Sequence, residues 1–268
     1  MTVTVLTFAS TDEAERALAA NRGARLIGGG TIVMRDVNAG DQALGTLIRV
    51  TDPALRQVRN DGSRILIGAM ATMADILRAP DLGFLAAPAR AVGGPAVRNM
   101  ATVAGNLFAP PPYGDFATAL LALDAQVQFS GASSAPIPID DFRRDRDRYG
   151  DKLVRAVMVE RPRDADALRW LKVSRIKPKG VAVMSMAAYL PRGATPRVAY
   201  GNMGPAPLRA FAVERALERA ALTEQGIAPA LSAATEGIDP PTDALSSAWY
   251  RRQVAPVHLK RLLLGSPA

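Results

Sequence analysis

The run Val92-Gly93-Gly94-Pro95-Ala96-Val97-Arg98-Asn99-Met100-Ala101-Thr102-Val103-Ala104-Gly105-Asn106-Leu107-Phe108-Ala109-Pro110-Pro111-Pro112-Tyr113-Gly114-Asp115 is the most informative stretch of this chain. Small, polar and proline residues dominate it. Its few apolar side chains follow neither helical nor strand periodicity. It therefore reads as one long compact loop, and such a loop inside a folded domain usually has a binding job. Small residues at Ala101, Thr102, Ala104 and Gly105 allow a ligand to approach the backbone closely. Asn106 offers both a donor and an acceptor, and Asp115 can accept from a ligand hydroxyl. A plainer reading fits the same residues: the prolines order the loop, and Asp115 simply opens the helix that follows.

Downstream, Phe116 to Leu123 is a strongly apolar helical run and Gln126 to Phe129 a strand. Upstream, Val3 to Phe8 alternates as a strand, and Ser10 with Glu13 has the spacing of a capping box. Ala14, Ala17, Leu18 and Ala20 supply that helix's apolar face, and it stops near Asn21-Arg22-Gly23. The short stretch Arg25-Leu26-Ile27 then enters Gly28-Gly29-Gly30-Thr31. Three consecutive glycines remove every β-carbon, so the backbone can turn sharply and present N–H groups to an anion. The triplet has neither the G-x-G-x-x-G spacing nor a following Gly-Lys-Ser/Thr, and alone it fits a tight turn equally well. Further strands are expected over Gly45 to Val50 and Arg64 to Ile67. Thr72 with Asp75 caps a helix that breaks at Pro80, and a shorter helix covers Gly83 to Arg90.

Taken together, these features resemble the FAD-binding medium subunits of the molybdenum hydroxylases, the xanthine, carbon monoxide and aldehyde dehydrogenases. The residues that carry the resemblance are Gly28-Gly29-Gly30-Thr31, the run Ala101-Thr102-Val103-Ala104-Gly105-Asn106, Asp115, and the helix Ala119-Leu120-Leu121-Ala122-Leu123-Asp124-Ala125. Two loops at matching separation are more specific than either alone, and the resemblance spans nearly the whole chain. It implies an α+β fold: a two-subdomain PCMH-type FAD-binding domain over residues 1–165, with subdomains about 1–55 and 56–165. A C-terminal domain of the carbon monoxide dehydrogenase flavoprotein type follows over 166–268, an antiparallel sheet backed by helices. It also implies non-covalent FAD. Ile27, Gly28, Gly29, Gly30, Thr31, Ile32 and Val33 would wrap its pyrophosphate, Ala101, Thr102, Ala104, Gly105 and Asn106 would form the other half of the cradle, and Asp115 would bind ribityl or ribose hydroxyls. Two places depart from the family pattern: Ala104 stands where glycine is usual, and the proline-rich segment Phe108 to Tyr113 is stiffer than its counterpart.

Beyond these loops, Pro136 to Tyr149 is dense in charges of both signs and reads as a solvated loop. Leu153 to Glu160 is a strand, and the turn Arg161-Pro162-Arg163-Asp164 marks a domain boundary. Strands over Ala167 to Val173, Val181 to Leu190 and Arg197 to Tyr200 suit an antiparallel sheet in which the first two pair with the third, with helices over Leu208 to Gln225 and Ser246 to Leu264. The basic cluster Lys172 to Lys179 is either a surface turn or, by the resemblance, a source of a cation for the flavin. A cation near the flavin would favour its reduced, anionic form, and Lys172 is the candidate. His258 lies in the last helix with no base or ligand partner nearby in sequence, which favours a packing role.

Composition narrows the chemistry. The chain of 268 residues has no cysteine and one histidine, so it carries no residues for an iron–sulfur cluster or a thiolate zinc site of its own. Its net charge of +8 comes without a stripe of aromatic and basic residues, which favours an anionic cofactor or partner over nucleic acid. No basic stretch followed by an apolar one marks a secretory signal, and no transmembrane span is expected. By the resemblance, a small subunit carries two [2Fe–2S] clusters, a large subunit carries the molybdenum cofactor, and this chain passes electrons through FAD to NAD or another acceptor. The resemblance also implies a cytoplasmic location, with export alongside a partner left open. No catalytic side chain is expected. A stand-alone flavoprotein oxidoreductase of the same fold, or an assembly or nucleic-acid-binding protein that has lost FAD, are the competing readings.

Overall fold

The computed structural model describes residues 3–41, 43–131, 135–176 and 180–265. Lys177, Pro178 and Lys179 of the basic cluster lie outside the described residues. In chain order the first elements are β1 (Thr4–Phe8), α1 (Thr11–Ala20), β2 (Arg25–Ile27), α2 (Val33–Asn38), β3 (Thr46–Val50), β4 (Val58–Asn60) and β5 (Arg64–Gly68). There follow α3 (Met73–Arg78), α4 (Ala86–Ala91), α5 (Pro95–Met100), α6 (Val103–Leu107), α7 (Asp115–Ala122), β6 (Gln126–Phe129), β7 (Ile137–Pro138), α8 (Ile139–Arg144) and β8 (Val154–Glu160). The last are β9 (Leu168–Ser174), β10 (Ala182–Tyr189), β11 (Arg197–Gly201), β12 (Leu208–Arg209), α9 (Phe211–Leu217), α10 (Ala228–Ser232) and α11 (Ala248–Leu264). These elements form two compact units that interleave along the sequence. One comprises Met1–Asp81, Val92–Ala109 and Ala125–Arg161; the other comprises Leu82–Ala91, Pro110–Asp124 and Pro162–Ala268.

The first unit holds two sheets. Parallel strands in the order β1-β3-β2 need crossovers, which α1 and α2 supply. Ala14 and Leu18 of α1 bury their side chains with Ile48, Val50 and Leu55. The second sheet has the order β4-β5-β8-β6-β7 and is antiparallel throughout. Strand β8 lies between β5 and β6 and buries residues on both faces, Val154 and Ala156 on one and Val157 and Val159 on the other. At α3 the expected capping box forms: the Thr72 hydroxyl accepts from the Asp75 N–H, and the Asp75 carboxylate accepts from the Thr72 N–H.

The second unit is built on the antiparallel sheet β12-β11-β10-β9, in which β10 lies between β9 and β11, so the second of the three expected strands and not the third is the shared partner. Strand β10 reads Ala-Val-Met-Ser-Met-Ala-Ala-Tyr, and all of it except Tyr189 is buried. Such a strand needs a partner on both faces. Met184, Met186 and Ala188 pack into one core with Leu259, Leu262 and Leu263 of α11. From the opposite face of β10, the Ser185 hydroxyl meets the Thr118 hydroxyl of α7 at 3.4 Å. All eight residues of α7 are buried, which accounts for its apolar sequence apart from Asp115 and Thr118. Burying a leucine such as Leu120 or Leu121 contributes about 1.5–3 kcal/mol. Arg251 is fully buried between these layers, where it donates to the carbonyls of Val183 and Ser246 and pairs with the Asp243 carboxylate at 2.8 Å.

Four further expectations are corrected. The Ser10–Glu13 capping box does not form, because the Ser10 side chain makes no cap hydrogen bond; at this end of α1 the Thr11 hydroxyl bonds Asp52 at 3.0 Å instead. The long loop from Val92 to Asp115 contains two short helices, α5 and α6, too brief to show periodicity. Pro136 to Tyr149 is no solvated loop: Ile139, Phe142 and Arg143 of α8 are buried, and the Phe142 ring meets Phe108 edge-on at 5.2 Å. Leu208 to Gln225 is not one helix, because Leu208–Arg209 pairs with β11 as an edge strand and α9 ends at Leu217. The Arg209–Glu214 ion pair and the N–H of Val198 donating to Glu214 fix that break.

Candidate functional site

The glycine triplet leaves β2 and meets the second loop edge to edge, within the first unit. A β-carbon on Gly28 would lie 2.4 Å from Thr102 Oγ1, and one on Gly29 would lie 1.5 Å from the Met100 carbonyl oxygen. No side chain fits either place. Gly30 has φ +71°, in the left-handed region that glycine occupies without strain. The three glycines thus have separate reasons: two permit the close crossing and the third makes the turn into Thr31, Ile32 and α2. Ile27, Thr31, Ile32 and Val33 are half-buried. Among the described residues, no acceptor receives the N–H groups of Gly28, Gly29, Gly30, Thr31 or Ile32. Five consecutive unpaired donors on a half-buried loop are unusual for a folded chain and suit an anion.

The second loop plays a different part. Thr102 caps α6, its hydroxyl accepting from the Gly105 N–H at 3.1 Å. The N–H groups of Val103 and Ala104 donate to the carbonyls of Ala71 and Ala69, and the Met73 N–H donates to the Ala101 carbonyl. Ala101, Thr102 and Asn106 are buried, Ala104 is half-buried and Gly105 is exposed. This loop is thereby hydrogen-bonded to the segment before α3 and forms a firm wall for the glycine triplet. The sequence reading missed both the capping role of Thr102 and the Met100 carbonyl that excludes a side chain at Gly29. The Thr102-Val103-Ala104-Gly105 spacing was the available sign of a cap.

Asp115 and Lys172 belong to the second unit, where they are brought together. The Lys172 ammonium donates to Asp115 Oδ2 at 2.7 Å and to the Ala91 carbonyl at 3.0 Å. The pair is almost sealed from solvent, with side chains 14% and 8% exposed. Burial pushes the Asp115 carboxyl above the usual carboxylate range, against the Lys172 charge and hydrogen bond and a weaker contact with Ser185. Asp115 Oδ1 is buried with no full hydrogen-bond partner among the described residues. Lys172 therefore ties together the last residue of α4, the first of α7 and the strand β9. Among the described residues there is no group of three or more His, Cys, Asp or Glu that could hold a metal ion, and no helix is long and apolar enough to cross a membrane.

Comparison with known proteins agrees with this architecture. Residues 1–161 match the family described as the FAD binding domain in molybdopterin dehydrogenase, and residues 170–266 match the CO dehydrogenase flavoprotein C-terminal domain. The chain is 29% identical over 224 residues to the carbon monoxide dehydrogenase medium chain of Hydrogenophaga pseudoflava, covering 79% of this chain and 77% of that one. It is 28% identical over 214 residues to the glyceraldehyde dehydrogenase medium chain of Sulfolobus acidocaldarius, covering 76% of each. Among solved structures, carbon monoxide dehydrogenase from Hydrogenophaga pseudoflava superposes with a TM-score of 0.87 at 25% identity, covering 98% of this chain and 96% of that one. Quinoline 2-oxidoreductase from Pseudomonas putida 86 shares the fold, with a TM-score of 0.88 at 20% identity over 99% and 97% of the two chains. The chain thus belongs to the FAD-binding subunits of the molybdopterin dehydrogenases, with the flavin-binding domain and the C-terminal flavoprotein domain that define them.

Proposed function

We infer that this subunit works in a heteromeric molybdenum hydroxylase, accepting electrons from the [2Fe–2S] clusters of a small partner subunit and delivering them to NAD or another acceptor. A large partner subunit would hold the molybdenum cofactor and act on the substrate. The observation that carries the reading is the run of five unpaired N–H groups from Gly28 to Ile32, clamped by glycine contacts against a rigid second loop. The residues fit a non-covalent FAD in that respect. Backbone donors on a loop with no β-carbons in the way can hold a diphosphate without lysine. Ile27 and Val33 flank the donors, and Ala101, Thr102, Ala104, Gly105 and Asn106 supply the wall behind them.

FAD, when bound, supplies the two-electron and one-electron redox chemistry; the chain's own residues bind and orient it. Thr102 and Gly105 hold the wall in register, and the Gly29–Met100 crossing sets the position of the donors. For Asp115 and Lys172 the reading is narrower than a direct flavin contact. Their mutual pair fixes the start of α7. A cytoplasmic site of action is part of the proposal and rests on the family alone.

The test is a visible absorption spectrum of the purified full chain, followed by analysis of the cofactor released on denaturation. Flavin bands with FAD liberated intact are the expected result. A colourless chain that takes up no added FAD, alone or with co-expressed partner subunits, overturns the reading.

A further inference from the structure

The chain has no cysteine, so its methionine thioethers are among its most easily oxidised side chains. Most of them are out of reach. Met73, Met184, Met186 and Met203 are fully buried, and Met70 and Met158 are half-buried. Among the described residues only two methionines are exposed, Met34 at 42% and Met100 at 52%. Both stand at the glycine triplet, within the first unit. Met100 ends α5, and its carbonyl is the one that excludes a β-carbon at Gly29. Met34 lies in the first turn of α2, and its N–H donates to the Gly30 carbonyl at 3.0 Å.

The Met34 side chain folds back over that turn. A β-carbon on Gly30 would lie 3.3 Å from Met34 Cγ and 3.4 Å from Ile27 Cδ1, the two side chains nearest to it. The thioether therefore sits beside the run of donors, its sulfur one bond beyond Cγ. In its ordinary state a thioether is only a weak acceptor, so it leaves the N–H groups of Gly28 to Ile32 open to an anion. A sulfoxide is different. Its S–O bond is strongly dipolar, and its oxygen accepts hydrogen bonds well.

We propose that Met34 is a reversible oxidation site, and that its sulfoxide closes the glycine loop to the diphosphate. This rests on the flavin reading above. The oxidant is hydrogen peroxide from outside the chain. The Met34 sulfur lone pair attacks one peroxide oxygen, and an S–O bond forms as the O–O bond breaks. The departing hydroxide takes up the proton left on the transferred oxygen and leaves as water. Sulfur gives up two electrons and the peroxide gains them. The new oxygen then accepts from N–H groups of the turn, and it sets the negative end of a dipole where phosphate oxygens would come. Met100 provides the contrast. It is the more exposed, so peroxide reaches it at least as readily, but what it offers the first loop is a backbone carbonyl, which oxidation of its sulfur leaves unchanged. Methionine sulfoxide reductases return the thioether and reopen the loop.

The test uses the full chain in the form that takes up FAD, alone or with its co-expressed partners, stripped of flavin and treated with graded hydrogen peroxide. Peptide mass mapping should find an added oxygen atom on Met34 and Met100, while Met73, Met184, Met186 and Met203 stay unmodified. After removal of the peroxide, equilibrium dialysis should give an FAD affinity lower by about tenfold or more, the worth of a hydrogen bond to a charged group. Sulfoxide reductases should restore it. Each variant is compared with itself before and after peroxide: Met34→Leu should lose the response, and Met100→Leu should keep it. Thermal unfolding should not change on treatment, which separates closure of the loop from damage to the fold. Met34 left unmodified at a dose that oxidises Met100 overturns the inference, and so does Met34 oxidised with FAD affinity unchanged. A loss of affinity that Met34→Leu does not prevent, or that comes with a lowered melting temperature, overturns it as well. In each of these cases the flavin reading stands. An untreated chain that takes up no FAD in any form overturns both.

Discussion

Replacing Gly29 with alanine puts the crossing of the two loops to a direct test. The new β-carbon would stand 1.5 Å from the Met100 carbonyl oxygen, 2.3 Å from its carbon and 3.1 Å from the Ala101 nitrogen. All three are backbone atoms, so no side chain can swing aside. To regain an ordinary contact near 3.4 Å the strands of backbone must separate by about 2 Å. The second loop resists, because the N–H groups of Val103 and Ala104 and the Ala101 carbonyl are hydrogen-bonded to the segment Ala69 to Met73. The first loop must therefore move, and with it the unpaired donors from Gly28 to Ile32. Overpacking of this kind costs about 1–3 kcal/mol, and two unyielding backbones place it at the upper end. If about 3 kcal/mol falls on the flavin-binding arrangement, FAD affinity drops by on the order of 150-fold. Equilibrium dialysis with FAD measures this, and thermal unfolding followed by circular dichroism checks that the chain still folds. Gly45→Ala is the control, since nothing lies within 4 Å of a β-carbon there; it should change neither property. A Gly29→Ala chain that binds FAD within twofold of the parent and unfolds at the same temperature refutes the argument.

Lys172→Met should destabilise the chain by about 3–5 kcal/mol, because it leaves the Asp115 carboxylate buried without its cation, and Lys172→Met with Asp115→Asn should recover most of the loss in urea unfolding. Asp115 already has a raised folded pKa, so its contribution to stability is fully present below its unfolded value near pH 4 and is lost as pH rises through the folded value. Without Lys172 the folded pKa moves higher still, and the deficit of the variant should shrink as pH falls. Asp75 has the opposite sign. Burial alone would raise its pKa, but hydrogen bonds from Arg56, from the Thr72 backbone and side chain, and from Arg78 together hold it well below the usual carboxylate range. Its contribution is present above about pH 4 and lost as pH falls through the folded value, so Asp75→Asn should flatten the acid limb of the stability curve. Arg143 is 8% exposed, pairs with Asp140 only at 3.9 Å, and leaves Nε and Nη1 buried without partners; burial holds its pKa down at about 10. Arg143→Leu should therefore raise the melting temperature, the stabilisation being up to about 1–4 kcal/mol, and a lower melting temperature would show that the guanidinium is satisfied in solution.

Where a segment's own residues settle its conformation, sequence and structure agree. Strands β1, β3, β5, β6, β8, β9, β10 and β11 lie where alternation or apolar runs place them, and the Thr72–Asp75 box forms as its spacing requires. Where the deciding partner is distant, the sequence was silent or misleading. Charges dominate Arg143 to Arg148, yet Phe142 turns inward because Phe108, Phe129 and Tyr149 offer it an aromatic cluster. Leu208 and Arg209 have a helical look, yet an open edge of β11 claims them as a strand.

The same division runs through the candidate site. The glycine triplet, the Ala101 to Asn106 run and the apolar helix after Asp115 are local patterns, and they were enough to mark the family. The absence of cysteine excluded clusters in this chain by composition alone. Only the tertiary structure decided why each glycine is needed, because the carbonyl that forbids a side chain at Gly29 comes from Met100, far along the chain. Only it joined Asp115 to Lys172, whose separation of 57 residues no periodicity can bridge. It also assigned α4 and α7 to the unit of the C-terminal sheet. The physical reason is common to all three. Backbone preference and hydrophobic period are properties of neighbours in sequence, whereas steric exclusion, ion pairing and burial depend on whichever atoms the fold brings within a few ångströms.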